Sequence, residues 1–275
     1  MTHTRRDLIA LLESHGLTAS RALGQNFVVD PNTVRRIARL ARVGAGDHVV
    51  EIGAGLGSLT LALADTGAHV TAIEVDRHLL PVLGDVLADT DVTLVAADAR
   101  EVDWAALTEP APTWTLVANL PYNIATPLVC DLLDDVPAIQ RMLVMVQREA
   151  GERLAASPGD KTYGIPSVKV AYWGTARLVG RVSPEVFTPR PRVESALVEI
   201  VRHAGGRPTV DTDPDRLFEL VRAGFGQRRK MLRRSLADLV APEAFTAADV
   251  DSSARPETLG IAQWAALAEA SQRPS

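Results

Sequence analysis

Asn119-Leu120-Pro121-Tyr122 groups residue types suited to one task. A side-chain amide and a backbone carbonyl can both accept hydrogen bonds from an amino group. Proline has no N–H and fixes φ, so the turn is stiff and its carbonyls point one way. A tyrosine offers a flat face to a planar base. The apolar run before them, Trp114 to Ala118, reads as a buried strand. The four residues are therefore expected just past the carboxyl end of that strand, where open α/β sheets place ligands. A plain strand-to-helix turn with a buried tyrosine has the same letters, so the rest of the chain must decide.

Three other strand ends carry chemistry. His48 to Ile52 is a strand, and Gly53-Ala54-Gly55-Leu56-Gly57 turns from it into a helix near Ser58. Glycines let a backbone bend sharply and approach a ligand closely. The third glycine comes one residue early for a nicotinamide fingerprint, and Glu51 precedes the turn. The second strand, His69 to Val75, carries Glu74, about twenty residues after the glycines, where an acid accepts from ribose hydroxyls. Asp76 is the competing acid; adjacent residues of an extended chain point opposite ways. The third strand, Asp91 to Ala96, leads to Asp98, whose carboxylate can accept from an adenine amino group. Gly53, Glu74, Asp98 and Asn119 thus fall at four successive strand ends. Strand then helix, four times over, is the parallel doubly wound pattern.

Around this frame, Leu8, Ile9, Leu11 and Leu12 suggest an amphipathic helix. Arg21 to Asp30 is a polar loop, and Asp30-Pro31 a strong helix start. Within that loop Gln25-Asn26-Phe27 either closes over a small ligand or caps the helix with Phe27 in the core. Pro127 to Leu133 reads as helix, Met142 to Val146 as a fifth strand, Gly151 to Pro166 as a loop, and Ser167 to Tyr172 as helix. Arg177 to Val182 and Ser195 to Val201 are late strands, expected to be antiparallel neighbours. Between them three prolines hold Pro184 to Pro191 extended, with Phe187 as a core plug or a stacking platform. The glycine-rich HAGGRP at 203–208 divides a first domain, 1–203 (with 1–45 as N-terminal helix and loop), from a helical one, 209–275. The helices expected there are Pro214 to Ala223, Lys230 to Val240 and Pro256 to Ala270.

Composition narrows the class. The 275 residues carry 47% hydrophobic residues and a net charge of −5. No run approaches the roughly 18 apolar residues of a membrane span, and no signal peptide is evident. One cysteine, Cys130, excludes an internal disulfide and a thiolate metal cluster; a cytoplasmic, metal-free protein is expected. Residues 205–275 are neutral, with ten basic and ten acidic side chains, yet Arg222, Arg228, Arg229, Lys230, Arg233 and Arg234 crowd one segment. Such a cluster suits phosphates.

Six stretches now align with one family: LGQNF at 23–27, VEIGAGLGSLT at 50–60, IEVDR at 73–77, NLPYNIATP at 119–127, FTPRPRVES at 187–195 and FGQRRKMLRRSL at 225–236. Over nearly its whole length the chain resembles the bacterial small-subunit ribosomal RNA adenine dimethyltransferases. That resemblance implies a Rossmann-like class I methyltransferase, a mostly parallel seven-stranded sheet with an antiparallel late strand, and a small all-α C-terminal domain. It implies S-adenosylmethionine as cofactor, contacted by Asn26, Val28, Gly53, Glu74, Asp98 and Asn119, with Gly55 in the same turn. The family usually has Leu at 28 and Pro at 54, where this chain has Val and Ala. Asn119, Pro121, Tyr122 and Phe187 match its target-base residues. The implied substrate is two adjacent adenosines in a hairpin loop near the 3′ end of 16S rRNA, within an immature small subunit and bound by the basic segment. A monomer is expected. The rival readings are a large-subunit rRNA adenine methyltransferase of the resistance type, a DNA adenine methyltransferase, and an assembly factor whose catalysis is dispensable.

Overall fold

Helix starts in this chain follow their capping residues. Thr4 caps α1 (Arg5–Ser14) in a reciprocal capping box with Asp7. Asp30 accepts from the Thr33 N–H at 2.8 Å and starts α2 (Pro31–Ala41) with proline at its first position. Between them the two-residue β1 (Phe27–Val28) pairs antiparallel with a late strand. The computed structural model describes residues 3–20 and 22–271; the first residue of the expected 21–30 loop, Arg21, lies outside them.

Four repeats of strand and helix follow: β2 (His48–Ile52), α3 (Ser58–Ala64), β3 (His69–Glu74), α4 (Leu80–Leu87), β4 (Thr93–Ala96), α5 (Trp104–Thr108), β5 (Trp114–Asn119) and α6 (Ala125–Asp135). Then come β6 (Ile139–Gln147), α7 (Arg148–Leu154), α8 (Ile165–Trp173), β7 (Gly174–Val182), β8 (Phe187–Thr188) and β9 (Ser195–Arg202). Seven strands form one sheet in the order β4-β3-β2-β5-β6-β9-β7. The first five are parallel, and β9 runs antiparallel to β6, with Gln147 opposite Ser195. Strands β2 and β5 are flanked on both sides and nearly all apolar, as strands buried on both faces must be. Among the buried residues of these two strands Glu51 is the polar one.

The parallel register aligns the strand ends. Ile52 lies opposite both Ile73 and Ala118, so Gly53, Glu74 and Asn119 emerge side by side. Gly53, Gly55 and Gly57 all have positive φ (77°, 59° and 79°), which is why this turn is written in glycine.

The chain falls into two compact units, and the division corrects the expected boundary. Residues up to 151 join 177–201 in one unit; 152–176 join 202 onward in the other. The stretch expected as a loop, 151–166, contains the end of α7 and the start of α8. Its Tyr163, with Val168 and Tyr172, packs with Leu217, Val221 and Trp264 in the core of the second unit. Burying those rings is worth more than sequence continuity with the sheet. The Ser-Pro-Gly-Asp turn at 157–160 hides that preference, because turn letters dominate the local pattern.

The second unit also contains α9 (Pro214–Gly226), α10 (Leu232–Ser235), α11 (Pro242–Ala247) and α12 (Ile261–Ala270). The helix expected over 230–240 shrinks to the single turn α10, and the one expected from Pro256 begins as a short 3-10 turn before α12. Among the described residues no helix is long and apolar enough to cross a membrane.

Candidate active site

The carboxyl ends of β2, β3 and β5 surround a cavity whose enclosed part is about 100 Å³. Asn26, Val28, Gly53, Gly55, Glu74, Asn119, Pro121 and Tyr122 all line it. These eight, drawn from four separate stretches, were expected together.

Glu74 is nearly inaccessible, and both its oxygens are held by backbone donors. The Gly55 N–H reaches Oε2 at 2.7 Å and the Asp76 N–H reaches Oε1 at 2.8 Å. The carboxylate thereby ties the glycine turn to the end of β3. Burial pushes its pKa up, opposed by those backbone hydrogen bonds. Asp76 faces elsewhere: it accepts from Gln25 Nε2 at 2.7 Å and the His78 N–H at 3.0 Å.

Asn119 Nδ2 donates to the Asn26 carbonyl at 3.0 Å. This donation sets the amide's orientation and leaves Oδ1 as its remaining acceptor. The expected second acceptor, the Pro121 carbonyl, is committed elsewhere. It receives the N–H groups of Ile124 and Ala125 at 3.2 and 3.1 Å, where α6 begins. The residue before it, Leu120, lines the cavity, and among the described residues no donor reaches its carbonyl. Tyr122 is half-buried, its hydroxyl 2.8 Å from Ser195 Oγ, and burial raises its pKa. The bond to Ser195 anchors the ring on β9.

Two expected site residues are not brought to the cavity. Phe187 is 2% exposed and packs in the core with Val28, Val34 and Ile37, because β8 pairs with β1 and sets Phe187 opposite Val28. In this structure it sits as a core plug. Asp98 is gripped by Arg100, whose Nε lies 3.0 Å from Oδ1 and Nη2 2.5 Å from Oδ2. That fork holds its carboxyl below the usual range, and Asp98 does not line the cavity.

Other lining residues carried no clear signal. Phe27 lies over the glycine turn, with its ring carbons 3.1 Å from where a Cβ on Gly55 would stand. Glu51 lines the cavity at 2% exposure, and its Oε2 has no partner among the described groups. Burial pushes it up to about 8, and the neighbouring Glu74 adds to the rise. A lone acid inside an otherwise apolar strand was the available sign.

The donor set suits a nucleoside carrying a cation. The Glu74 carboxylate, the buried Glu51 with an oxygen that has no partner among the described groups, the Asn119 amide, and apolar walls at Leu56, Val75 and Phe27 match such a ligand chemically. Pockets for drug-sized ligands are roughly 300–1,000 Å³, larger than the enclosed part found here. Among the described residues no cluster could hold a metal.

In the second unit Arg222, Arg229, Lys230, Arg233 and Arg234 are exposed. Arg228 differs: its Nη2 donates to the Lys161 carbonyl at 2.8 Å and its Nε lies 3.7 Å from Glu257. It holds this unit together rather than offering a free charge.

A family model described as ribosomal RNA adenine dimethylase matches residues 16–273. Ribosomal RNA small subunit methyltransferase A of Thermobifida fusca is 46% identical, over 97% of this chain and 95% of its own. The protein of the same name from Bifidobacterium longum subsp. infantis is 44% identical, over 96% and 92%. A dimethyladenosine transferase from Plasmodium falciparum superposes with a TM-score of 0.73 at 22% identity, covering 86% of this chain and 94% of that one. The 23S rRNA methyltransferase ErmE superposes with a TM-score of 0.68 at 26% identity, covering 89% and 99%.

Proposed function

The chain belongs to the ribosomal RNA adenine dimethylase family, and from that premise we propose how its residues do the work and on which RNA. It is an S-adenosylmethionine-dependent ribosomal RNA adenine dimethyltransferase. Its substrate is two neighbouring adenosines in a hairpin loop near the 3′ end of 16S rRNA, each dimethylated on the amino nitrogen, in an immature small subunit. The enzyme acts as a cytoplasmic monomer.

When bound, S-adenosylmethionine supplies a methyl group made electrophilic by its sulfonium. Gly53 and Gly55 let the backbone approach the cofactor, Glu74 presents its carboxylate to the ribose, and Asn26 and Val28 wall the other side. Asp98 joins this set once Arg100 releases it.

An adenine amino nitrogen is a weak nucleophile because its lone pair is delocalised into the ring. Asn119 Oδ1 and the Leu120 carbonyl accept its two hydrogens, which draws the nitrogen toward tetrahedral geometry and frees the lone pair. Tyr122 stacks on the base, giving roughly 1–3 kcal/mol against the few kcal/mol needed to flip it out. Positioning rather than acid–base chemistry is the main contribution. Arg222, Arg229, Lys230, Arg233 and Arg234 hold phosphates and set the RNA's register without reading its bases.

The observation that carries this reading is the Asn119 amide, which donates to the Asn26 carbonyl, keeps its oxygen as an acceptor, and belongs to a residue lining the same cavity as Glu74. Purified protein with methyl-labelled S-adenosylmethionine should label immature small subunits, and nuclease digestion should release N6,N6-dimethyladenosine. Label in large subunits or DNA instead would overturn the choice of substrate. Tight particle binding without label would favour the assembly-factor reading.

A further inference from the structure

Helix α2 is two-faced. Val34 and Ile37 on its inner side line the active-site cavity, while Arg35, Arg39 and, just past its end, Arg42 are exposed. Arg36 completes four arginines in eight residues, with no acid from Pro31 to Arg42. Arg35–Arg39 and Arg36–Arg39 are like-charge pairs at i,i+4 and i,i+3, a spacing that disfavours an isolated helix.

The outer side of α2 continues onto the edge strand β7. The Arg36 guanidinium lies over Gly180 and donates from Nη1 to the Arg181 carbonyl at 3.1 Å. At the other end Arg42 comes within 4.0 Å of Glu199, which also takes Arg177 and Arg141. Arg141 in turn donates to the carbonyls of Leu40 and Ala41, fastening the helix end. Arg42 and Arg177 remain 63% and 59% exposed despite sharing Glu199, and Arg181 is exposed too. Carboxylates that meet this surface include Glu199 and, at the start of α2, Asp30, one of whose charge partners is Arg35. A plate of one sign stands on a protein whose net charge is −5.

We propose that this arginine plate on α2 and β7 is a second RNA-binding surface, which holds the sugar-phosphate backbone next to the target adenosine. The inference rests on the rRNA reading above. A polyanion is the partner such a surface fits, because each phosphate neutralised by an arginine releases condensed counterions. The plate is carried by a helix whose other side, at Val34 and Ile37, lines the cavity that also holds Asn119. No base contact is implied, and the plate adds affinity without sequence preference.

The test is a triple variant, Arg35→Gln, Arg39→Gln and Arg181→Gln, which leaves the Arg36, Arg141 and Glu199 contacts intact. Binding to protein-free small-subunit rRNA and to immature subunits is measured against potassium chloride, with S-adenosylhomocysteine binding and thermal unfolding as folding controls. The log-affinity against log-salt slope should flatten by roughly 0.7–0.9 per lost contact, roughly 2.1–2.7 in all, with unchanged S-adenosylhomocysteine affinity. The triple Arg→Lys variant should restore the slope, since phosphates need only the charge. An unchanged slope and affinity overturn the proposal. Unchanged binding to free RNA with weakened binding to the particle also overturns it, in favour of an acidic protein partner. If the unaltered enzyme neither binds nor methylates small-subunit rRNA, the functional reading itself fails.

Discussion

The side-chain amide of Asn119 donates to the backbone carbonyl of Asn26, 93 residues earlier in the chain, at 3.0 Å. One hydrogen bond thereby joins the tip of β5 to the N-terminal loop, both of which line the cavity. It also leaves the amide oxygen as the remaining acceptor of that side chain.

Asn119→Ala removes one of the two acceptors on the adenine amine. Loss of a comparable preorganised hydrogen bond costs about 10²–10³-fold in turnover. Single-turnover methylation should fall by that order, while S-adenosylhomocysteine affinity measured by calorimetry changes only a few-fold. Equal losses in both would assign Asn119 to the cofactor alone.

Glu51 titrates near 8 in the folded chain, against an ordinary value of 4.5. Between those values the folded state holds a proton that the unfolded state has lost. Its contribution to stability is therefore full below the ordinary value and is lost as pH rises toward 8. Glu51→Gln cannot ionise, so its advantage over the parent chain should grow from pH 5 to 8, to the order of a few kcal/mol, and then level off. Urea unfolding across that range reads it directly; parallel curves for the two proteins would show that Glu51 is ionised when folded.

Phe187→Ala opens a hole in the core between β8 and α2 and should cost about 3–5 kcal/mol of stability. Below its own melting transition the variant should keep near-parental kcat. A collapse of kcat at preserved stability would return this ring to the substrate.

Arg229→Gln with Lys230→Gln should flatten the salt slope of RNA binding by roughly 0.7–0.9 each, with the thermal midpoint unmoved. Arg228→Gln should do the reverse, lowering the midpoint because the Lys161 carbonyl loses its donor. Identical behaviour of both variants would contradict the division of labour within this segment.

Much of the architecture was legible without coordinates because it is repetitive. Strand and helix alternate with their own periods, and parallel pairing brings each strand's carboxyl end to one edge of the sheet. Gly53, Glu74 and Asn119 had to converge once that alternation was read, whereas Asp76 is held apart by Gln25 and the His78 N–H, which only the folded chain brings to it. The chain order of charges likewise marked the basic segment around residue 230.

Tertiary structure decided everything that depended on competition between partners. Arg100 captures Asp98 from two residues away, the first turn of α6 takes the Pro121 carbonyl, and pairing with β1 turns Phe187 inward. Tyr163 and Tyr172 draw residues 152–176 out of the unit that flanks them in sequence. Periodicity tells which side of an element is apolar and where a chain turns, and those follow from local backbone geometry. Which of several nearby donors or hydrophobic surfaces a group finally meets is a difference of small free energies between distant segments, and only the folded chain brings those segments into comparison.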